Sequence, residues 1–389
     1  MEPDQPHILF SLGGHTAPVL ALDIDHQHNP TRLLSGSEDG SARLWDLEAR
    51  KVARGIRAVP SDPAAAPRPV TAVKFSPLSP EHTVYIAAGN QMLVFDLRAP
   101  GMVLSTPSSS FPPAKEEINS IAISDKEQYV ATVDDSGDVL VMDTSFDGNR
   151  GRCRRMRRGH DNIAMAVAFR PTKTWEVWSG GMDSTMKQWD FSRGTTINEY
   201  DMTVAEAAPT PQVVNPPHIH SLAVASDGRA LASGLGDGSI FVLAQPAPAI
   251  DTKSKGKDKG DKKKRAPMIS SRLEGHNWSV SAVDFITNSP TATATASQLL
   301  VSGGIDGQLK LWGPSGIEEQ SPYVVRTAYQ LDKRVNAMKC AWMPTRTGGD
   351  VAHDSIVAFV SGVSRSDNPA SARASTEIEA VMVEQLART

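Results

Sequence analysis

One triplet of residue types recurs three times along this chain with the same spacing. A serine is followed four residues later by an aspartate, and six residues after that by a tryptophan. The copies are SGSEDGSARLWD (35–46), SGGMDSTMKQWD (179–190) and SGGIDGQLKLWG (302–313). A Gly-His pair precedes each copy, at residues 14–15, 159–160 and 275–276. Such self-similarity indicates a repeat architecture, in which each unit buries its apolar face against its neighbours.

Short alternating segments fill the regions between these motifs. The clearest are VLALDI, VTAVKFS, INSIAIS, MAVAFRP, IHSLAVAS and VSAVDFI. Their hydrophobic period is close to two, which predicts strands, and we find no convincing helical periodicity. Within a unit, an alternating strand precedes a small-residue strand, a tight turn, a third strand and a more polar fourth strand. Four strands per unit, at a period above about 40 residues, are typical of a β-propeller blade.

The Gly-His pairs, the triplets and the closing "WD" or "WG" pairs resemble the WD-repeat β-propeller family. This resemblance implies a buried hydrogen-bond network of four residues, a tetrad, in each strong repeat. The tetrads are His15/Ser35/Asp39/Trp45, His160/Ser179/Asp183/Trp189 and His276/Ser302/Asp306/Trp312. Buried polar groups are costly unless they satisfy one another, so a structural role is physically sensible. The alternative is a Ser-His-Asp catalytic triad, but a hydrolase needs one triad, and the chain has no G-x-S-x-G elbow. We therefore expect no catalytic residues and no enzyme activity.

Alignment to the strong repeats predicts the remaining blades. Phe95, Met142 and Leu243 take the tryptophan position in the second, third and fifth units. The last unit has only three strands, in VNAMKCAWM, IVAFVSGVS and IEAVMVEQL, so HILFSL at residues 7–12 must supply the fourth. We predict an all-β, seven-bladed propeller that forms a single domain over residues 1–389. The N-terminal strand closes the ring on residues 378–386, which removes an open sheet edge.

Composition argues against several classes of function. The net charge of -4 gives no general attraction to nucleic acid or an anionic membrane, so we expect neither as a direct partner. Two cysteines cannot form a disulfide framework or a four-ligand metal site, and no Walker A or H-E-x-x-H motif occurs. We expect no metal and no cofactor. We find no signal-peptide pattern and no uninterrupted apolar stretch of roughly 18 residues.

Three further segments have two interpretations each. Residues 246–268 are a Lys-rich, low-complexity segment, which predicts a disordered loop within the fifth blade. Inside it, Lys262, Lys263, Lys264 and Arg265 form either a nuclear-import signal or a solvated charge run. Residues 150–158 hold six arginines, which form either a patch for an acidic partner or a charged outer strand that prevents edge pairing. GLGDG at 234–238 resembles a dinucleotide loop, but a tight turn between strands explains it better.

A closer resemblance covers the chain from about residue 12 onwards. GGHTAPVLALDI, the degenerate second blade and the VDDSG turn at 133–137 look like the WD repeat-containing protein 53 type. Members of this type are regarded as substrate receptors of cullin-4 ubiquitin ligases, in which the arginine of a "WDxR" motif contacts the adaptor. Phe95, Asp96 and Arg98 fit that motif, with phenylalanine in place of tryptophan. The alternative is an ordinary strand end in which Arg98 pairs with a neighbouring carboxylate.

These observations predict a non-catalytic scaffold for proteins or peptides in the nucleus, the cytoplasm or both. The first hypothesis is a substrate receptor of a cullin-4 ligase, which binds the ligase adaptor. The alternative is a generic WD40 scaffold of another assembly, with no ligase role. In either case we expect a monomer within a larger complex.

Overall fold

The described part of the chain consists of strands, turns and loops. The computed structural model describes residues 5–26, 29–57, 67–144, 153–204, 215–245, 268–286, 299–314, 323–345, 353–364 and 376–385. Its strands form seven sheets, each built on four antiparallel strands. Within these ranges, no helix is long and apolar enough to cross a membrane.

The first two blades follow the N-terminal strand β1 (His7–Leu12). Blade 1 contains β2 (Val19–Ile24), β3 (Arg32–Ser37), β4 (Ser41–Asp46) and β5 (Lys51–Arg57). Blade 2 contains β6 (Val70–Phe75), β7 (Thr83–Ala88), β8 (Gln91–Asp96) and β10 (Ser109–Ser110). Between its last two strands, the short β9 (Val103–Leu104) leaves blade 2 and pairs in parallel with β5 of blade 1. The chain therefore links these two blades by a strand as well as by a loop.

Blades 3 to 5 have their four strands in sequence order. Blade 3 contains β11 (Ile118–Ile123), β12 (Tyr129–Asp134), β13 (Val139–Asp143) and β14 (Cys153–Arg155). Blade 4 contains β15 (Ala164–Phe169), β16 (Glu176–Gly181), β17 (Thr185–Asp190) and β18 (Thr195–Asp201). Blade 5 contains β19 (Ile219–Val224), β20 (Ala230–Leu235), β21 (Ser239–Ala244) and β22 (Ile269–Glu274). The first two residues of the GLGDG segment end β20, and residues 236–238 form the turn between β20 and β21.

Blade 6 contains β23 (Val280–Ile286), β24 (Leu299–Gly304), β25 (Gln308–Pro314) and β26 (Tyr323–Gln330). Blade 7 combines the two ends of the chain, with β27 (Lys333–Thr345), β28 (His353–Ser364), β29 (Ile378–Gln385) and β1. β1 pairs antiparallel with β29, with His7 opposite Met382 and Leu12 opposite Ile378. The predicted seven-bladed architecture and its closure by the N-terminal strand are therefore confirmed.

The hydrophobic core lies between neighbouring blades. One buried cluster combines Leu34 and Leu44 of blade 1 with Val73, Ile86 and Phe95 of blade 2, and similar clusters recur around the ring. The first strand of every blade lines a central cavity of about 530 Å³. Close packing between blades also explains why a glycine follows the serine in all three copies of the motif. A Cβ added to Gly180 would lie only 2.4 Å from Ile219 Cγ2 on the next blade, so a larger residue would force the two blades apart.

Candidate functional site

The first predicted tetrad is assembled in blade 1. His15 lies in the loop before β2, Ser35 on β3, Asp39 in the β3–β4 turn and Trp45 near the end of β4. His15 Nε2 is 2.7 Å from Ser35 Oγ, and Trp45 Nε1 donates to the same oxygen at 2.8 Å. His15 Nδ1 lies 3.0 Å from Asp39 Oδ2. The four side chains thus connect the loop before β2, β3, the β3–β4 turn and β4 within one blade.

The same network recurs in blades 4 and 6. In blade 4, His160 Nε2 and Trp189 Nε1 lie 2.7 and 2.8 Å from Ser179 Oγ, and Asp183 Oδ1 lies 3.0 Å from His160 Nδ1. In blade 6, His276 Nε2 and Trp312 Nε1 both lie 2.8 Å from Ser302 Oγ, and Asp306 Oδ1 lies 3.1 Å from His276 Nδ1. The structure therefore brings each predicted set together within its own blade.

The aspartates of the tetrads are held as carboxylates. Burial alone would raise the pKa of Asp39, but hydrogen bonds from His15, Ser41 and the main chain of Thr16 lower it well below its usual range. Burial likewise opposes the effect of His160 and Thr185, which lower the pKa of Asp183. The pKa of Asp306 is also lowered, because its bonds with His276 and two main-chain N–H groups outweigh its burial.

The environment of the serines bears on the catalytic interpretation. Ser35, Ser179 and Ser302 are each 0% exposed, and each hydroxyl is already engaged with one imidazole and one indole. The three sets lie in three different blades, and each is enclosed by its own strands. This geometry serves to fix the turn between the second and third strands, and it presents no serine to a substrate.

Two other blades keep part of the tetrad and lose the rest. Ser233 in blade 5 and Thr132 in blade 3 occupy the serine position, and both are 0% exposed. Neither hydroxyl has a hydrogen-bond partner among the described residues. The reason is that Leu243 and Met142 replace the indole donor, and no histidine precedes these blades at the required distance. In blade 5, Asp237 is bound instead by the guanidinium of Arg272, from the outer strand β22.

A second set of polar contacts joins blades to one another, and our sequence analysis missed it. At the fifth position of β2, Asp23 accepts hydrogen bonds from Lys74 Nζ at 3.1 Å and from the main-chain N of Phe75 at 2.8 Å. At the same position of β23, Asp284 accepts from Lys339 Nζ at 3.1 Å and from the main-chain N of Cys340 at 2.9 Å. Each aspartate therefore holds the first strand of the following blade.

Asp23, Lys74, Asp284 and Lys339 form a charged arc that spans blade 7, where the two ends of the chain close the ring. In ring order, blades 6, 7, 1 and 2 carry Asp284, Lys339, Asp23 and Lys74 at this position, and blades 3, 4 and 5 carry alanine. In the longer β27 the position is counted from Val335, where the register shifts as it does at Val19 of β2. Burial alone would lower the pKa of Lys339, but Asp284 and Asp23 together raise it. Alternating Asp and Lys at one position of successive first strands was a signal that the sequence already contained.

The candidate adaptor-binding residues lie where β8 ends. Phe95 is fully buried in the core between blades 1 and 2, so it packs where the tryptophan packs in other blades. Arg98 is exposed, with 67% of its side chain accessible, and it binds Asp96 in a bidentate pair. Its Nε and Nη2 donate to the two carboxylate oxygens at 3.0 and 2.9 Å. These bonds lower the pKa of Asp96 to about 2. Arg98 is therefore both accessible and paired with a neighbouring carboxylate.

The arginine-rich segment is only partly described. Arg154 on β14 donates to the main-chain oxygens of Phe191 and Ser192 in blade 4. Arg54 does the same at the equivalent position of blade 1, where it donates to the carbonyls of Ala99 and Gly101 in blade 2. Arg155 pairs with Asp138 at 3.1 Å. Arg154 and Arg155 of the arginine-rich segment thus have contacts that stabilise the blades.

Other predicted features fall outside the described ranges or lack a cluster there. Residues 262–265 and the predicted loop 246–268, apart from Met268, lie outside the described residues. Across the part of the chain that the structure describes, no group of three or more His, Cys, Asp or Glu side chains could hold a metal ion.

Comparison with known proteins agrees with this architecture. The family described as "WD domain, G-beta repeat" matches residues 7–46, 151–190 and 268–313, and each match includes one complete tetrad. The chain is also similar to a protein named "WD repeat-containing protein 53 homolog" from Dictyostelium discoideum, at 27% identity over 244 residues. That similarity covers 59% of this chain and 62% of the relative, which is less than two thirds of the relative's length. With these three WD40 repeats set in a closed ring of seven four-stranded blades, the chain is a seven-bladed β-propeller that contains WD40 repeats.

Proposed function

We propose that this protein is a non-catalytic scaffold that binds other proteins or peptides. The support is that the His, Ser and Asp side chains of the three tetrads bond to one another inside the blades. They stabilise the fold and are not available to a substrate. A rigid ring of this kind presents many loops at both of its ends, and such loops are where binding residues concentrate. A fold alone does not fix a function, so the specific role has to be argued from particular surface residues.

More narrowly, we propose that it is a substrate receptor of a cullin-4 ubiquitin ligase and that Arg98 contacts the ligase adaptor. The observation that supports this role is the exposed Asp96–Arg98 pair directly after a buried aromatic residue. Because Asp96 binds two of its nitrogens, the guanidinium is held in one orientation with its remaining N–H groups free to reach a carboxylate or carbonyl. Holding the side chain in place lowers the entropy that binding would otherwise cost.

A pull-down with purified ligase adaptor tests this role. The full chain should retain the adaptor, and Arg98→Ala should weaken retention at least about tenfold, as the loss of an interface anchor does. Arg98→Lys should fail almost equally, because lysine cannot form a bidentate pair. Arg193→Ala is a matched control, since Arg193 follows the third strand of blade 4 and pairs with Asp190 at 3.6 Å. Equal retention of all four proteins, or none by the wild type, would refute the ligase role.

The second candidate is a scaffold of another nuclear or cytoplasmic assembly. It is favoured by the Asp96–Arg98 pair itself, since an arginine that already has a carboxylate partner can be a local feature of the turn. Localisation, a monomeric state and a single domain remain predictions. A fluorescent fusion with residues 262–265 changed to alanine tests the import signal. Loss of nuclear signal would support it, and an unchanged distribution would contradict it.

A further inference from the structure

A groove of about 310 Å³ lies at the boundary between blades 3 and 4. Its walls are the β11–β12 turn (residues 124–128) and the β15–β16 turn (residues 170–174), and Tyr129 and Phe169 contribute aromatic surface. This volume is at the lower end of the range of ligand pockets. It suits one or two side chains of a peptide rather than a large cofactor.

An exposed tryptophan borders this groove. Trp175 follows directly after the lining residue Thr174, and it is 49% exposed. Its ring lies 5.6 Å from that of Tyr129 and 5.4 Å from that of Phe191, and those two rings are 4.9 Å apart. The indole is thus held in place by aromatic neighbours while half of it faces solvent. Rigid, exposed aromatic residues of this kind are frequent anchors of protein interfaces.

The groove carries unpaired positive charge. Lys126 and Lys173 both line it, and neither has a carboxylate within ion-pairing distance among the described residues. Asp125 is the single acidic side chain in the lining, because the adjacent Glu127 turns away to Ser76 and Tyr85 of blade 2. The third cation of the lining, Arg170, is neutralised by Glu176 at 3.1 Å.

A further cation extends this surface beside the aromatic residues. Arg154 donates to the main-chain oxygen of Phe191, whose ring contacts Trp175. The local excess of positive charge contrasts with the net charge of -4 of the whole chain. Charge complementarity therefore favours an acidic partner at this place.

The groove and Arg98 lie at the same end of the ring. In an antiparallel blade, the turn between the first and second strands and the turn after the third strand are at the same end. The groove is formed by turns of the first kind in blades 3 and 4, and Arg98 lies in a turn of the second kind in blade 2. A partner that binds the groove would therefore occupy the face that also carries Arg98.

We propose that this groove binds an acidic peptide segment of a partner protein. In this complex, carboxylates of the peptide pair with Lys126 and Lys173, and an apolar or aromatic side chain packs against Trp175 and Tyr129. Single-stranded nucleic acid is disfavoured, because successive bases need several exposed aromatic rings and only Trp175 is strongly exposed here. The inference rests on the proposed scaffold function and gives that scaffold a defined binding site.

Fluorescence polarisation with short labelled synthetic peptides tests the proposal on the full chain. The probe is a Glu/Asp-rich peptide with one central phenylalanine. The comparison probes are the same peptide with lysine in place of its acids, the same peptide with alanine in place of phenylalanine, and oligothymidylate. The acidic phenylalanine peptide should bind most tightly, and its affinity should fall as salt is added.

Two groove variants and two matched controls make the test specific. Trp175→Ala and the double variant Lys126→Glu/Lys173→Glu should each weaken peptide binding by about tenfold or more. Trp278→Ala removes another half-exposed tryptophan, and Lys51→Glu/Arg57→Glu reverses two exposed cations of blade 1. Both controls should change the affinity by less than about twofold. The double groove variant keeps every aromatic contact, so its melting temperature should match that of the wild type.

Three results would overturn the proposal. These are no binding of the acidic peptide, equal binding by the groove variants and their controls, and tighter binding of oligothymidylate that the groove variants abolish. Arg98→Ala should leave peptide binding unchanged, because it lies in a different blade. Failure of the groove is thus distinguishable from failure of the adaptor contact, which the pull-down measures separately.

Discussion

Ser233 in blade 5 lies where Ser35 lies in blade 1, yet only Ser35 has hydrogen-bond partners for its side chain. Both are 0% exposed. The hydroxyl of Ser35 joins His15 and Trp45, whereas that of Ser233 has no partner among the described residues. The same side chain is therefore expected to stabilise one blade and to be dispensable in the other.

We expect Ser35→Ala to lower the free energy of unfolding by about 1–3 kcal/mol, because it leaves a buried imidazole nitrogen and a buried indole N–H unsatisfied. Ser233→Ala should change the free energy of unfolding by less than about 0.5 kcal/mol, since the hydroxyl it removes is buried away from water and makes no hydrogen bond within the described part of the chain. Urea denaturation of both variants measures the difference. Equal effects would show that the tetrad contributes nothing beyond the burial of its members.

Lowering the pH should reduce the free energy of unfolding through the aspartates of the three tetrads. The pKa values of Asp39, Asp183 and Asp306 are lowered in the folded chain, so the unfolded chain takes up protons first as the pH falls. Their contribution is complete at neutral pH and is lost progressively below about pH 5 as the unfolded carboxylates, with pKa near 3.9, become protonated. Asp183→Asn should flatten this dependence in denaturation curves recorded from pH 7 to pH 3. An unchanged slope would contradict it.

The charged arc should matter more than exposed ion pairs do. Asp284→Ala removes the acceptor for Lys339 Nζ and for the main-chain N of Cys340, and both of these atoms lie at the boundary of blades 6 and 7. We expect a loss of about 2 kcal/mol in the free energy of unfolding. Arg193→Ala is the control, because it removes only the exposed ion pair with Asp190, in which Arg193 is 80% exposed, and such pairs contribute less than about 1 kcal/mol. Chemical denaturation of the two variants decides between these expectations.

Closure of the ring should depend on the buried end of β1. Leu12 is 1% exposed and packs with the core shared by blades 7 and 1. We expect Leu12→Ala to cost about 2–5 kcal/mol. Ile8→Ala, on the same strand but 46% exposed, should cost less than about 0.5 kcal/mol. Similar melting temperatures for the two variants would argue that β1 is not needed to hold the ring together.

The parts of the fold that sequence predicted well are those with a signal inside one repeat. The position of Leu243 opposite Leu231 matches that of Trp45 opposite Leu33, because strand spacing alone sets this register. β9 could not be predicted in the same way. It is two residues long, has no periodicity, and pairs with a strand of another blade.

The groove beside Trp175 was equally hidden in the sequence. Trp175 and Phe191 meet within blade 4, where the main-chain N of Phe191 donates to the main-chain O of Trp175. Tyr129 is far from both along the chain and reaches them only because blades 3 and 4 pack side by side. In contrast, Arg98 could be located from its motif, but its pairing with Asp96 depends on side-chain conformation. Sequence patterns describe neighbours within a blade, and surfaces between blades need the assembled ring.

The pairing of β1 with β29 also has a consequence for synthesis on the ribosome. His7 and Met382 are partners in the finished sheet, so β1 must wait until β29, 375 residues further along the chain, has been synthesised. At ordinary elongation rates that wait is roughly 20 to 75 seconds. During this time the nascent chain exposes an unpaired strand edge, which is a template for aggregation. We therefore expect production of the folded protein to depend on chaperones that shield β1 until β29 has been synthesised.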